Sequence, residues 1–273
     1  MGRVDDLETA LPTVFGAADL RSRGLTRAAA RHRISQRRWV RVSQGLYAAA
    51  EVWAATAYRD RLAASALARQ RNFHEDKVLS HVSAAALHGL ALPLDAGKAT
   101  WLTVSGGGNR PRRSPSVIIE RATLSTCDVA AMTSASLPGV VARRQTSRGV
   151  LTSVTRTVAD CARHLALPDA VAVADSAARL HVGVSDGLQD VIDRQVGWPG
   201  ARRAAAAYRL LDPRRETWLE SYSVGALHLA GTPLPEPQVR LFDKRRRLRR
   251  TCRRSLARVG RRRGGGRDDQ VRR

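Results

Sequence analysis

The sequence predicts an α+β protein with an N-terminal winged helix-turn-helix, an α+β middle region and an arginine-rich tail. Three observations carry this. Helical apolar spacing at the start gives way to a period of two after Ser35, two apolar strand-like runs lie among alanine-rich helical stretches, and the last thirty residues lose nearly all apolar character.

At the start, Leu7 to Leu11 and Val14 to Leu20 supply apolar positions at helical spacing, Gly24 closes the second segment, and Thr26 opens a new helix as N-cap over Arg27 to Ile34. Trp39-Val40-Arg41-Val42, the turn Ser43-Gln44-Gly45 and Leu46-Tyr47 then read as a two-stranded wing. This order places Arg27, Arg31 and Arg33, with His32, on a helix suited to a major groove. Arg37, Arg38 and Arg41 complete the expected DNA-binding set, with Arg41 contacting phosphate from the wing. Trp39 and Tyr47 read as the wing's packing residues.

Residues 54 to 70 read as a helix, and Ser80 to His88 as another that ends at Gly89. Thr100 to Val104 and Ser116 to Glu120 read as strands, with Gly106-Gly107-Gly108-Asn109 as the tip between them. Leu151 to Asp160 leads into a helix, Pro168 restarts one through Leu180, and further helices are expected over 184–194, 198–211 and 216–230. The expected divisions are 1–50, 51–200, 201–243 and 244–273.

The chain has 273 residues and a formal net charge of +23, and only Lys77, Lys98 and Lys244 among its forty-seven basic residues are lysine. Residues 244 to 273 hold fifteen of the cations against Asp268 and Asp269, yet the preceding residues stay strongly basic. Double-stranded DNA is the expected partner, because arginine on phosphate releases counterions. The tail has too little apolar surface to offset chain entropy, so disorder is expected there. Cys127, Cys161 and Cys252 have no Cys-x-x-Cys pairing and suggest neither a disulfide framework nor a zinc site. The absence of long apolar runs argues against a membrane partner, and with no secretory signal pattern at the start it points to the cytoplasm.

Other residues invite chemistry that their context does not favour. His81 and His88 are two helical turns apart, too far to share one zinc, and read as a helix start and a packed histidine. Glu75-Asp76-Lys77 lacks a preceding strand aspartate, and the glycine run lacks the Lys-Ser/Thr of a phosphate loop. Ser153 reads as a helix cap, with Asp160 and His164 as an i, i+4 surface pair and Cys161 between them, so no triad is expected.

Four blocks in order resemble the AbiEi-type antitoxins of type IV toxin-antitoxin systems: Arg37 to Tyr47, Leu79 to Leu90, Thr152 to Asp160, and Leu219-Glu220-Ser221 with Pro235 to Val239. The resemblance spans residues 10 to 243. It implies a winged helix that binds promoter DNA as a transcriptional regulator, with the middle region as the candidate surface for a homodimer or a cognate toxin. It also implies a C-terminal domain like the very-short-patch-repair and PD-(D/E)XK endonucleases, a restriction-endonuclease-like fold that holds Mg²⁺ with carboxylates. The alternative function is therefore a metal-dependent DNA endonuclease.

Glu220 matches the nuclease helix glutamate, but the strand carboxylates fall where this chain reads Arg249-Arg250-Thr251-Cys252-Arg253-Arg254-Ser255. Guanidinium groups cannot hold a divalent cation, so the C-terminus reads as an incomplete nuclease, with Glu220 vestigial, no catalytic residue and no cofactor. If the codons for Thr251 to Arg272 are read one nucleotide later, the genetic code permits a string carrying D, E-x-D-G and K-Y in the family's order. This predicts a frameshift near residues 243 to 250. Sequencing the coding DNA checks it, since codons that forbid the shifted string exclude the explanation.

Overall fold

The computed structural model describes residues 11–73, 77–106, 112–132, 149–242 and 248–256, and the fold is α+β. The chain divides into two compact units, Met1–Thr157 and Val158–Arg273. This differs from the divisions expected at residues 50 and 200. The first fifty residues share a core with later elements of the same unit: Val14, Leu46 and Ala48 belong to one apolar cluster with Leu67, Leu102 and Ile119. The rest of their apolar surface, Leu11, Phe15, Leu20, Ala30 and Trp39, forms a cluster of its own.

In the first unit, β1 (Phe15–Gly16) leads into α1 (Ala17–Arg21). The sequence pattern predicts helix from Val14. Instead Phe15 pairs with Tyr47 of β3 (Leu46–Ala49) and sends its ring edge-on to Trp39, with centroids 4.6 Å apart. The expected segment at Leu7 lies outside the described residues, apart from Leu11, which is buried. The α1 end is a Schellman motif: Leu25 N–H donates to the Leu20 carbonyl at 2.9 Å, and Gly24 supplies the left-handed φ of 65°. Thr26 then caps α2 (Arg27–Ser35) as expected, accepting from Ala29 N–H at 3.1 Å.

β2 (Trp39–Ser43) and β3 form an antiparallel hairpin whose turn is closed by Gly45 at φ 73°, and with β1 they make a three-stranded sheet in the order β1-β3-β2. After α3 (Ala50–Ala55) and α4 (Tyr58–Arg71) comes a six-stranded mixed sheet in the order β6-β7-β5-β4-β9-β8. Its strands are β4 (Lys77–Leu79), β5 (Thr100–Val104), β6 (Arg112–Ser114), β7 (Val117–Arg121), β8 (Val129–Ala131) and β9 (Val150–Thr152), and α5 (His81–Leu87) follows β4.

Two expectations change here. β5 and β7 are parallel neighbours, Thr100 beside Val117, with β6 antiparallel on the far side of β7, so they are not the two arms of a hairpin. β4, β8 and β9 have three residues each, too few for periodicity to reveal. The remaining glycines of the expected tip, Gly107 and Gly108, and the pair Glu75-Asp76 lie outside the described residues.

The second unit is built on α6 (Val154–His164), within which the division falls, then α7 (Leu167–Leu180), α8 (Val184–Arg194), α9 (Ala201–Arg209) and α10 (Trp218–Leu229). These agree with the expected helices to within a few residues. α7 and α10 approach closely at Gly225, where a Cβ would stand 2.5 Å from the Pro168 Cα. β10 (Pro235–Phe242) and β11 (Leu248–Leu256) pair antiparallel, Val239 opposite Cys252. Part of the stretch expected to be disordered is thus a strand, because ladder hydrogen bonds form between backbones whatever the side-chain composition. Residues 257–273 lie outside the described set, as do Asp243 and Lys244.

Asp175 on α7 is fully buried, accepts from Arg215 Nη1 at 2.7 Å and from Asp212 N–H at 2.7 Å, and so ties the α9–α10 connection to α7. Removing one partner of a buried pair strands the other charge. Asp175→Ala is therefore expected to cost about 3 to 5 kcal/mol in urea unfolding, and adding Arg215→Met should recover part of the loss.

Candidate nucleic-acid interface

α2 lies on the hairpin by one face. Ala30 is buried and Ile34 packs into the cluster of Leu11, Phe15, Leu20 and Trp39. Arg27, Ala28, Arg31, His32 and Ser35 are all exposed: the helical repeat turns Ala28, His32 and Ser35 away from the core, Arg31 stands at the edge of the packed face, and Arg27 is open to solvent as the first residue of the helix. The sequence pattern groups Arg33 with Arg27 and Arg31, and the structure separates it. Arg33 is half-buried, donates Nη1 to the Ala29 carbonyl at 3.4 Å and stacks over the Trp39 ring at 5.1 Å. It covers the core rather than extending from it.

The end of α2 is unusual. Arg38 N–H donates to the Arg33 carbonyl at 3.0 Å and Arg37 N–H to the Ile34 carbonyl at 2.9 Å, a second Schellman motif. Its left-handed position, normally glycine, is held by exposed Arg37 at φ 57°. Arg38 is half-buried, and its carbonyl accepts from Ala50 N–H at 2.8 Å. Arg41 is exposed in the middle of β2, opposite Tyr47. Trp39 is 2 % exposed and Tyr47 half-buried, so both are packing residues.

Between Asp19 and Glu51 there is no acidic residue, whereas Arg21, Arg23, Arg27, Arg31, Arg33, Arg37, Arg38 and Arg41 all fall there. Asp19 itself is buried, accepting from Gly16 N–H at 2.9 Å and pairing with Arg71 at 3.1 Å. Among the described residues no carboxylate pairs with Arg27, Arg31, Arg37 or Arg41, so their positive field faces solvent uncompensated. Sequence reasoning passed over Ser35 and Gln36 on the same exposed face, where the Gln36 amide meets the His32 imidazole at 2.8 Å. It also passed over Arg69 of α4, which donates to the Gln44 carbonyl at 2.9 Å and the Ser43 hydroxyl at 2.6 Å and so holds the hairpin turn.

The other singled-out residues have structural partners. Glu220 is 4 % exposed and serves in a capping box: its Oε2 accepts from Glu216 and Thr217 N–H at 2.8 and 3.3 Å, while Thr217 Oγ1 accepts from Glu220 N–H at 3.3 Å. β11 carries no Asp or Glu. Ser153 caps α6, accepting from Arg156 N–H at 3.4 Å.

Asp160 is not on the surface, contrary to the sequence expectation. It is fully buried and accepts from Arg163 Nη2 at 3.0 Å and Gln195 Nε2 at 3.1 Å, because α6 turns that face into its unit. Burial, and then the charge of Asp160, push the Cys161 thiol upward, so it stays protonated and a poor nucleophile. His164 Nδ1 lies 3.0 Å from the Asp160 carbonyl.

His88 Nε2 meets the Thr152 carbonyl at 2.7 Å. His81, at φ 50°, stacks on Trp101 with centroids 4.4 Å apart, its Nδ1 2.9 Å from Ser80 Oγ and its Nε2 3.7 Å from Glu120. Ser80 is fully buried, so this cluster is an interior polar network rather than an accessible nucleophile. Among the described residues no helix is long and apolar enough to cross a membrane.

No protein-family model matches this chain, and no curated protein matches it in sequence.

Glu220→Ala removes the reciprocal half of the α10 capping box. It is expected to lower stability by about 1 to 2 kcal/mol in urea unfolding, a cost set by the lost helix cap.

Proposed function

We propose that residues 15–49 are a winged helix-turn-helix that binds double-stranded DNA, and that the protein is a transcriptional regulator acting by promoter occupancy, similar to AbiEi-type antitoxins. The observation that carries this reading is the exposed stripe of Arg27, Arg31 and Arg37 on and just after α2, with no acid between Asp19 and Glu51. α2 enters the major groove by that stripe, His32 and Ser35 lie beside the bases, and Arg41 meets phosphate.

Arg37 adds a separate argument. A non-glycine residue at a left-handed position costs about 1 kcal/mol that glycine would avoid, and such strain concentrates where a side chain has a task. Retaining a guanidinium there is economical if its charge is used. The alternative of a Mg²⁺-dependent nuclease has less support, since Glu220 is engaged in a helix cap and the strand after β10 has no carboxylate. A cognate toxin and a homodimer remain part of the family-based reading, with the middle region as the candidate surface for either.

Fluorescence anisotropy on duplex DNA tests the reading. Replacing Arg27, Arg31 and Arg37 together by alanine should weaken binding, whereas Arg41→Ala should reduce the slope of log K against log salt by about 0.9, the share of one lost phosphate contact. Unchanged binding would remove the proposal. Arg33→Ala should act mainly on stability, because its guanidinium covers Trp39.

Arg37→Gly is expected to raise stability by about 1 kcal/mol while lowering DNA affinity, opposite signs that a purely structural arginine would not give. With DNA and Mg²⁺ no cleavage is expected. Cleavage that Glu220→Gln abolishes while the fold persists would instead favour the nuclease.

A further inference from the structure

The first unit contains a cavity of about 510 Å³ among the β2–β3 hairpin, α4 and the segment that precedes β5. The size suits a small organic molecule. Trp53, Leu62 and Leu94 give it apolar walls. Its charged lining is unbalanced: Arg61, Arg69 and Lys98 face a single acid, Asp95, which already pairs with Lys98 at 3.1 Å.

Arg69 is the decisive group. It is only 9 % exposed, yet among the described residues no carboxylate pairs with it, and its Nε–H has no acceptor. Its other bonds go to the neutral Gln44 carbonyl and Ser43 hydroxyl. Burial lowers its pKa with no neighbouring anion to oppose the effect. Buried charges are normally paired, so a buried guanidinium at a cavity wall without a counterion is a site prepared for one. Arg61, two turns earlier on α4, is spent on the Trp53 and Ala54 carbonyls at 3.0 and 3.1 Å and on the Trp53 ring at 4.9 Å, which fixes that ring as a wall.

We propose that this cavity binds a small carboxylate with an aromatic or branched apolar body, its carboxylate on Arg69 and its body against Trp53, Leu62 and Leu94. Because Arg69 also holds Ser43 and Gln44, occupancy and the hairpin turn share one guanidinium, and the ligand biases the conformation of that turn. Where the hairpin contacts DNA, an effect that rests on the DNA-binding reading, the same ligand alters DNA affinity.

The test titrates 1-naphthoate into the full chain by calorimetry without DNA, beside the neutral analogue 1-naphthalenemethanol and inorganic phosphate. Naphthoate is expected to bind saturably at one site and raise Tm, with both comparators at least tenfold weaker. Arg69→Gln should weaken binding by about tenfold or more, the scale of a lost charged hydrogen bond.

Since Arg69 also anchors the hairpin, Ser65→Phe provides an independent variant: it fills the cavity from α4, leaves every cation in place and should abolish binding with the circular dichroism spectrum unchanged. Absence of saturable binding, equal binding of the alcohol or of phosphate, or full binding by folded Ser65→Phe would each overturn the proposal. DNA is absent throughout, so this outcome and that of the DNA titration are separate.

Discussion

The packing of Trp39 against Phe15 fixes the geometry of the N-terminal region. Trp39 begins β2 directly after the α2 turn, and Phe15 lies in β1, so their edge-on contact locks helix and hairpin to one another. Arg33 completes the arrangement by covering the Trp39 ring. Once Ala30 and Ile34 face this cluster, the helical repeat turns Ala28, His32 and Ser35 outward with Arg31 at the edge of the packed face, and Arg27 is exposed at the first position of the helix. Core packing thus sets which way the helix faces, while the lack of acidic residues between Asp19 and Glu51 leaves its exposed arginines uncompensated.

The arginines of this chain fall into physically distinct classes that composition treats alike. Some are exposed with no carboxylate beside them among the described residues, as Arg27 and Arg31 are. Others are buried on an acid, as Arg163 is on Asp160 within α6 and as Arg215 is on Asp175, where the pair joins segments forty residues apart. Arg69 belongs to neither class: among the described residues its partners are the neutral oxygens of Gln44 and Ser43. Guanidinium tolerates all three settings because it stays charged, offers five donors and stacks on aromatic faces. In a protein so rich in arginine and so poor in lysine, the environment of each group, rather than its presence, carries the functional information.

The C-terminal unit illustrates how a motif and a role can part. Glu220 stands where a nuclease glutamate would be expected, yet a helix start that needs two backbone N–H groups satisfied uses a glutamate at the third position equally well. The sequence Thr217-Trp218-Leu219-Glu220 is itself a capping-box pattern, a local signal as strong as the family resemblance. Likewise β11 forms despite its many arginines, since pairing with β10 satisfies backbone groups regardless of charge.

The sequence by itself determined the α+β class, the helices from α4 to α10, the Thr26 cap and the hairpin after Ser35, because these depend on periodicity and on capping chemistry within a few residues. It also determined which residues carry charge near the N-terminus. Tertiary structure alone decided the parallel placement of β5 and β7, the union of the first fifty residues with the later sheet, and the burial of Asp160. It likewise decided that Arg33 folds back on Trp39 while Arg69, outside every motif, holds the hairpin and lines a cavity. The physical reason is range: local pattern fixes backbone conformation, whereas burial, ion pairing and the outward face of a helix depend on partners tens of residues away.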